Sequence, residues 1–151
     1  FDAFRTFVMT LSAKSYFYRF HTATRPSTAR LAALCRPSWI ESGVWGLFAE
    51  TGALVASGRW SAVQNGGNTD KEAEFGIAVL DSWQRQGLAR ILMNKLETEA
   101  FAEGFHTMVG LVLSGNEAME HAMTALGYML DNASAGDSRE ARRWIRRLQP
   151  S

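Results

Sequence analysis

The stretch VLDSWQRQGLARILMNKL, residues 79–96, joins two regular elements through a compact polar turn. An apolar run ends at Leu80, and a polar segment with one glycine, Gly87, follows it. From Leu88 to Gly104 the apolar residues recur at helical spacing; they are Ile91, Leu92, Leu96 and Ala100. The stretch therefore predicts a strand, a glycine-containing turn and an amphipathic helix in direct succession.

A turn of this kind can bind an anion. The first N–H groups of a helix have no partner inside it, and the helix dipole adds about half a positive charge there. The absent side chain of Gly87 would let a pyrophosphate approach these groups, with Arg85 and Arg90 on the same anion. The alternative is that Gly87 only eases a tight turn. The Walker and G-x-G-x-x-G patterns are absent, so these two phosphate motifs are excluded.

Length and composition fit one domain with a single core, over residues 1–151. Of these residues 46% are hydrophobic, and the formal net charge of +1 gives no overall attraction to nucleic acid or to an acidic membrane. No apolar stretch approaches the roughly 20 residues that cross a bilayer. Cys35 is the single cysteine, which favours a reducing compartment, the cytoplasm. The chain does not begin with methionine, so N-terminal residues of a longer chain could be missing.

The remaining segments predict a block of helices, then three strands, and then helices and strands in alternation. Helical spacing and serine N-caps predict three helices over the first third, the last over 28–36. Short β-type runs predict a hairpin that turns at Thr51–Gly52, then a loop over 64–70 and a buried strand over 72–80. After the helix that ends near Gly104, the chain predicts a strand, a short helix and a further strand.

The tail, residues 139–147, carries five arginines. Its apolar residues fit one face of a helix, and a strand is the competing prediction. A solvated charged face is the simpler interpretation of the arginines, and a patch for an acidic partner is the alternative.

Three motifs in this order resemble the GNAT superfamily of acetyl-CoA-dependent N-acetyltransferases. QRQGLA, residues 84–89, matches the superfamily signature Q/R-x-x-G-x-G/A between a strand and a helix. NEAMEHAMTALGY, residues 116–128, resembles a later helix that begins at asparagine and ends in glycine and an aromatic residue. LSAKSYFYRFH, residues 11–21, is similar to the helical region of bacterial protein-lysine acetyltransferases of this superfamily.

The resemblance implies an α/β (α+β) GNAT fold. Its mixed, mainly antiparallel central sheet has helices on both faces and is splayed between the strand at 75–80 and the strand at 108–113. In that fold the tail after Arg139 is the last strand, so the resemblance favours a strand over the helical spacing there.

The resemblance also implies that acetyl-CoA is the co-substrate. Amides of the glycine turn would hold its pyrophosphate, and its pantetheine arm would lie along the preceding strand, with a backbone N–H near Val79 meeting the developing oxyanion. Asn116 resembles the asparagine that contacts pantetheine or fixes the splayed strand, and an N-cap is its alternative role. The cofactor-binding residues so implied are Ile77, Ala78, Val79, Gln84, Arg85, Gln86, Gly87, Leu88, Ala89, Arg90 and Asn116.

In this family a neutral amine attacks the acetyl-CoA carbonyl directly. An ammonium acceptor must first lose a proton, so a carboxylate near the thioester is a suitable general base. Glu74 matches the catalytic glutamate of similar protein-lysine acetyltransferases, with Glu72 in reserve and a merely solvated Glu74 as the alternative. Gly76 and Ala78 lie on the same face, where small side chains leave room for a ligand or for a closely packed helix.

One position departs from the family pattern. Many members have a tyrosine seven residues after the asparagine, and this tyrosine reprotonates the departing thiolate. Here the residue is Met123, whose thioether cannot donate a proton. Water, another donor or unassisted departure must then serve, and we expect Tyr128 to lie in the core.

The first functional prediction is acetyl transfer to a primary amine, either a small molecule or a protein lysine. A noncatalytic acyl-CoA-binding regulatory domain and a plain interaction module are the alternatives. No metal is expected, because His21, His106 and His121 are widely spaced and accompany no matching Cys or Asp pattern. The sequence leaves open the acceptor and whether the chain forms a homodimer.

Overall fold

The computed structural model describes residues 1–35, 41–63, 71–131 and 141–150. This part of the chain contains five helices, six strands and a short 3₁₀ turn, Asp81–Trp83. In chain order the elements are α1 Asp2–Thr10, α2 Ala13–Phe20, α3 Thr28–Cys35, β1 Ser42–Phe48, β2 Leu54–Ala62, β3 Glu72–Val79, α4 Leu88–Ala102, β4 Thr107–Leu113, α5 Glu117–Ala125, β5 Met129–Leu130 and β6 Ala141–Arg147. The predicted order of helices and strands is confirmed, whereas the predicted loop over 64–70 lies outside the described residues.

Local sequence explains where several elements begin and turn. The Ser12 hydroxyl accepts a hydrogen bond from the Ser15 N–H at 3.1 Å, which caps α2. The Ser27 hydroxyl accepts one from the Arg30 N–H at 3.3 Å in the first turn of α3. The β1–β2 hairpin turns through Gly52, whose φ of +86° is a conformation that favours glycine.

The six strands form one sheet in the order β1-β2-β3-β4-β6-β5. All neighbours are antiparallel except β3 and β4, which are parallel. These two central strands pair only from Glu72 with Thr107 to Glu74 with Val109, and beyond that point no pairing joins them. The predicted splay between the two strands is confirmed, and it opens a cleft in the middle of the sheet.

Two apolar clusters show that helices cover both faces of the sheet, as predicted. One joins α4 and α5 to β2, β3 and β4, and includes Trp60, Phe75, Leu92, Leu96 and Met123. The other joins α1, α2 and α3 to the opposite face, and includes Phe7, Val8, Leu11, Tyr16 and Leu31. Among the described helices, none has both the length and the apolar character needed to cross a bilayer.

The arginine-rich tail is the strand β6, antiparallel to β4 over seven residue pairs. The strand prediction is therefore confirmed, and the helical spacing was misleading. Arg143 donates to Glu72 and to Asp131 at 2.6 Å each, whereas Arg146 donates to Glu97 at 3.0 Å. Arg143 and Arg146 are three residues apart on a strand and therefore face opposite sides of the sheet, and each has a carboxylate partner there. Arginines are thus accommodated on both faces, and their spacing in the sequence does not mark one face of a helix.

Candidate active site

The turn between β3 and α4 exposes a row of backbone donors. Arg85 and Gly87 both have positive φ, +63° and +79°. Within the described residues, no acceptor is found for the N–H groups of residues 85–90, and the first bonded amide is that of Ile91, at 3.2 Å from the Gly87 carbonyl. A Cβ placed on Gly87 would meet no atom within 4 Å, so the turn is open to an approaching ligand. An anion is the ligand that such donors favour.

Side chains tie this turn to α2. The Gln84 amide donates to the Val79 carbonyl at 3.1 Å and to the Ser15 hydroxyl at 3.4 Å. The Asp81 carboxylate accepts from the Ser12 hydroxyl at 2.9 Å. Burial raises the pKa of Asp81, but the hydrogen bonds from Ser12 and Ser15 together lower it by more. The net effect is a pKa below the usual range for aspartate. Asp81 is therefore a charged anchor at neutral pH.

The cleft between β3 and β4 contains a cavity of about 250 Å³. Its walls come from the end of α2, from α3, from both splayed strands and from the start of α5. The polar and titratable side chains that line it are those of Tyr18, Arg19, His21, Arg30, Glu74 and Asn116. The structure thus brings Glu74 and Asn116, which the sequence predicted, together with four residues from the helical first third.

The two candidate carboxylates on β3 are in different situations. Glu72 is mostly buried and forms the 2.6 Å ion pair with Arg143. Glu74 is exposed to the cavity and forms no hydrogen bond or ion pair with any described residue. Only Glu74 therefore has free lone pairs facing the cleft, and Glu72 has a structural role.

Arg19 occupies the space that the sequence predicted above Gly76. A Cβ on Gly76 would lie 2.5 Å from the guanidinium carbon of Arg19, so the absence of a side chain at Gly76 gives this guanidinium its place, and a larger residue would displace it. Burial of the guanidinium, and then the charge of Arg59, lower the pKa of Arg19 to about 10, while Glu74 raises it in part. Burial, and then the charge of Arg19, lower the pKa of His21.

The start of α5 closes the cleft. Asn116 is the N-cap of α5, because its side-chain oxygen accepts from the Met119 N–H at 3.3 Å, and it also lines the cavity. The Tyr18 hydroxyl donates to the neighbouring Gly115 carbonyl at 3.3 Å. The sequence did not single out Tyr18 or Arg19, because nothing in the pattern of α2 distinguishes a residue that faces the cleft from one that faces solvent.

Met123 and Tyr128, the two residues considered as donors of a proton to the CoA thiolate, do not reach the cleft. Met123 is fully buried in the core beneath α5. Tyr128 is also buried, as predicted, and its hydroxyl donates to Glu97 at 2.7 Å. Burial and then the charge of Glu97 raise the pKa of Tyr128 above its usual range, so this phenol is held neutral in a structural bond. Among the described residues, no cluster of His, Cys, Asp and Glu could hold a metal ion.

Comparison with known structures places the fold. The GNAT domain of S. lividans PAT superposes with a TM-score of 0.87 at 22% identity, covering 97% of this chain and 84% of that one. A phosphinothricin acetyltransferase from Sinorhizobium meliloti, solved with acetyl-CoA, gives 0.78 at 20% identity, over 99% of this chain and 89% of that one. The putative acetyltransferase yncA from Salmonella typhimurium, solved with its cofactor acetyl-CoA, gives 0.71 at 18%, over 99% and 91%.

No curated protein is significantly similar in sequence. The model of the acetyltransferase (GNAT) family, however, matches residues 7–128, which is most of the chain and includes both the open turn and the cleft. On this match, the chain belongs to the acetyltransferase (GNAT) family and is an acetyl-CoA-dependent N-acetyltransferase.

Proposed function

We propose that the protein transfers the acetyl group of acetyl-CoA to a primary amine by direct attack in a ternary complex. The observation that carries the proposal is the unpaired carboxylate of Glu74, which lies where β3 and β4 separate. From Glu74 to Leu80, where the turn that carries Gly87 begins, the chain extends about 20 Å, a distance comparable to an extended pantetheine arm. A base at one end and an anion site at the other fit one molecule of acetyl-CoA.

The co-substrate is assigned to the turn and to the free side of β3. The N–H groups from Gln86 to Arg90 would bind the pyrophosphate, with Gln84 and Arg85 at the entrance. Beyond Glu74, β3 is bonded on one side only, to β2. The backbone of Ile77, Ala78 and Val79 therefore has room for the pantetheine arm, and Asn116 faces it across the cleft.

Glu74 is assigned as the general base. The acceptor ammonium gives a proton to Glu74, and the neutral nitrogen forms a C–N bond to the acetyl carbon. The C–S bond of acetyl-CoA then breaks, and the second proton that the nitrogen loses balances the proton that the leaving thiolate takes up. The oxyanion that develops on the carbonyl would accept a hydrogen bond from the N–H near Val79. CoA leaves as a thiolate, which a thiol pKa near 8.5 makes a fair leaving group.

Tyr18 is assigned as the group that donates a proton to the CoA thiolate. It is the one hydroxyl side chain among the described cavity-lining residues, and its hydroxyl lies at the start of α5 beside Asn116. Since Met123 and Tyr128 are both buried in the core, a donor from α2 would replace the family's donor from α5. Its hydrogen bond to Gly115 is long and near solvent, so the hydroxyl can turn toward the cleft.

Titration calorimetry with acetyl-CoA and a thiol-release assay with a panel of amines test this function together. We expect acetyl-CoA to bind, CoA to be released only when an amine is present, and Glu74→Gln to lower the rate of release sharply while leaving binding nearly intact. Binding without amine-dependent release would favour the noncatalytic acyl-CoA-binding domain instead. The finer assignments, a protein-lysine acceptor, a homodimer and a cytoplasmic location, stay predictions.

A further inference from the structure

The cavity holds more positive than negative charge. Arg19 and Arg30 line it, and Arg59 lies beneath them on β2, where it donates to the Leu34 carbonyl at 3.4 Å. Within the described residues none of the three guanidinium groups forms an ion pair, and Glu74 is the single carboxylate in the cavity wall. A net positive cavity attracts an anionic group and repels an ammonium that carries no such group.

Arg19 is the guanidinium placed for such an anion. It packs over Gly76 and beside the Phe20 ring, whose centroid is 4.9 Å from its guanidinium carbon, and no hydrogen bond satisfies its N–H groups within the described chain. Gly76 and Glu74 are two residues apart on the same face of β3, about 7 Å along the strand. A cation and a base therefore lie side by side at a small-molecule distance.

The charge of Arg19 is only partly compensated in the free protein. Burial and the charge of Arg59 are unfavourable for the cation, and Glu74, which forms no hydrogen bond with it, offsets this cost only in part. A bound carboxylate would relieve it through charge-assisted hydrogen bonds, bidentate if the geometry allows.

We propose that the acceptor is a small amine that also carries an acidic group, a carboxylate or an equivalent oxyanion, which binds Arg19 while its amine faces Glu74. This inference rests on the proposed function and names the substrate class of the same site. The cavity, about 250 Å³, suits a molecule of amino-acid size. The nearby guanidinium groups also lower the pKa of the acceptor ammonium, which favours the neutral nucleophile.

The test compares matched acceptors in a CoA-release assay on the whole chain. The probes are the standard α-amino acids and 4-aminobutyrate, each against its own amide, and a lysine-containing peptide with blocked termini. We expect at least one free acid to be used about tenfold to a hundredfold better in kcat/KM than its amide, because the amide lacks the carboxylate that would pair with Arg19. The blocked peptide should be a poor acceptor.

Two variants and a control isolate Arg19. Arg19→Gln should raise the KM for the best acid about tenfold or more and change the KM for its amide less than threefold. Gly76→Ala, which keeps the charge but displaces the guanidinium, should cause the same selective loss. Arg5→Gln removes an equal charge from the exposed face of α1 and should leave both acceptors unchanged.

The outcomes separate this inference from the function on which it rests. If the blocked peptide or the amides are acetylated as well as the acids, or if Arg19→Gln affects acid and amide equally, the acceptor class is wrong and the transferase remains. If acetyl-CoA binds but no amine of any kind releases CoA, the transferase itself fails, and the acceptor assignment fails with it.

Discussion

Glu72 and Glu74 project from the same face of β3, but Glu72 is ion-paired to Arg143 at 2.6 Å, and Glu74 has no such partner among the described residues. Glu74→Gln should therefore lower kcat by about 10²- to 10⁴-fold, the usual contribution of general base catalysis, without changing acetyl-CoA affinity. Stopped-flow or steady-state CoA release measures the first quantity and calorimetry the second. Unchanged kcat at saturating acceptor would move the base elsewhere.

Glu72→Gln is the matched control for this prediction. Loss of its charge weakens the partly buried bond to Arg143, so we expect the free energy of unfolding to fall by about 1 kcal/mol or more. Turnover at a temperature where the variant is folded should stay close to that of the wild type. A large loss of kcat would mean that the two carboxylates act together.

Gly87→Ala should weaken acetyl-CoA binding by tenfold or more. The added Cβ meets no protein atom, but it strains the positive φ of +79° and covers the amides that we assign to the pyrophosphate. Gly52→Ala is a close control, because Gly52 has φ of +86°, has equally empty surroundings and lies in the β1–β2 hairpin. Both variants should lose stability to a similar extent, and only Gly87→Ala should lose affinity for acetyl-CoA. If Gly87→Ala binds acetyl-CoA as tightly as Gly52→Ala does, the assignment of the turn to the pyrophosphate is refuted.

Tyr18→Phe and Tyr128→Phe distinguish the two phenols. Tyr18→Phe should lower kcat several-fold, less than the loss of the base, because a thiolate departs readily without help. Tyr128→Phe removes the buried 2.7 Å bond to Glu97 and should cost about 1–2 kcal/mol of unfolding free energy with kcat unchanged. An unchanged kcat in Tyr18→Phe would show that another group supplies the proton.

His21 should make the protein less stable in mild acid. Burial and the charge of Arg19 lower the pKa of His21 in the folded state, so the unfolded chain binds the proton more readily. Stability is then complete above the ordinary histidine pKa of about 6.5 and is lost as the pH falls below it. His21→Asn keeps a residue that tolerates the positive φ, and the melting temperature of this variant should depend less on pH between 6.5 and 5.

The sequence was sufficient for much of the fold because its signals are local. The serine caps, the hairpin at Gly52 and the turn at Gly87 depend on the conformations of a few adjacent residues, and each is found where the pattern predicts it. The splay between β3 and β4 came from family resemblance, since no local pattern specifies which backbone groups stay unpaired. The tail shows the opposite case. Its residues are spaced like the two faces of an amphipathic helix, but they form a strand on which Arg143 and Arg146 are held by ion pairs.

The site was predictable only in part, for a related reason. Glu74 and Asn116, which line the cavity, could be named as candidates because they lie within recognisable motifs. The approach of Arg19 to Gly76, and the pairing of Glu72 with Arg143, join residues 57 and 71 positions apart, so only tertiary packing brings them together. The charge of the cavity, and with it the acceptor class that we propose, could not be predicted from spacing alone.

Beyond Glu74 the backbone hydrogen bonds between β3 and β4 stop although both strands continue, so the sheet has a free strand edge in its interior. A coenzyme bound along this edge would take the place of the missing neighbouring strand. Binding of the coenzyme should therefore make β3 more rigid well beyond the reacting atoms. We expect deuterium uptake along the outer half of β3 to slow sharply once the coenzyme is present, which would make it a structural component of the enzyme as well as a consumed reagent.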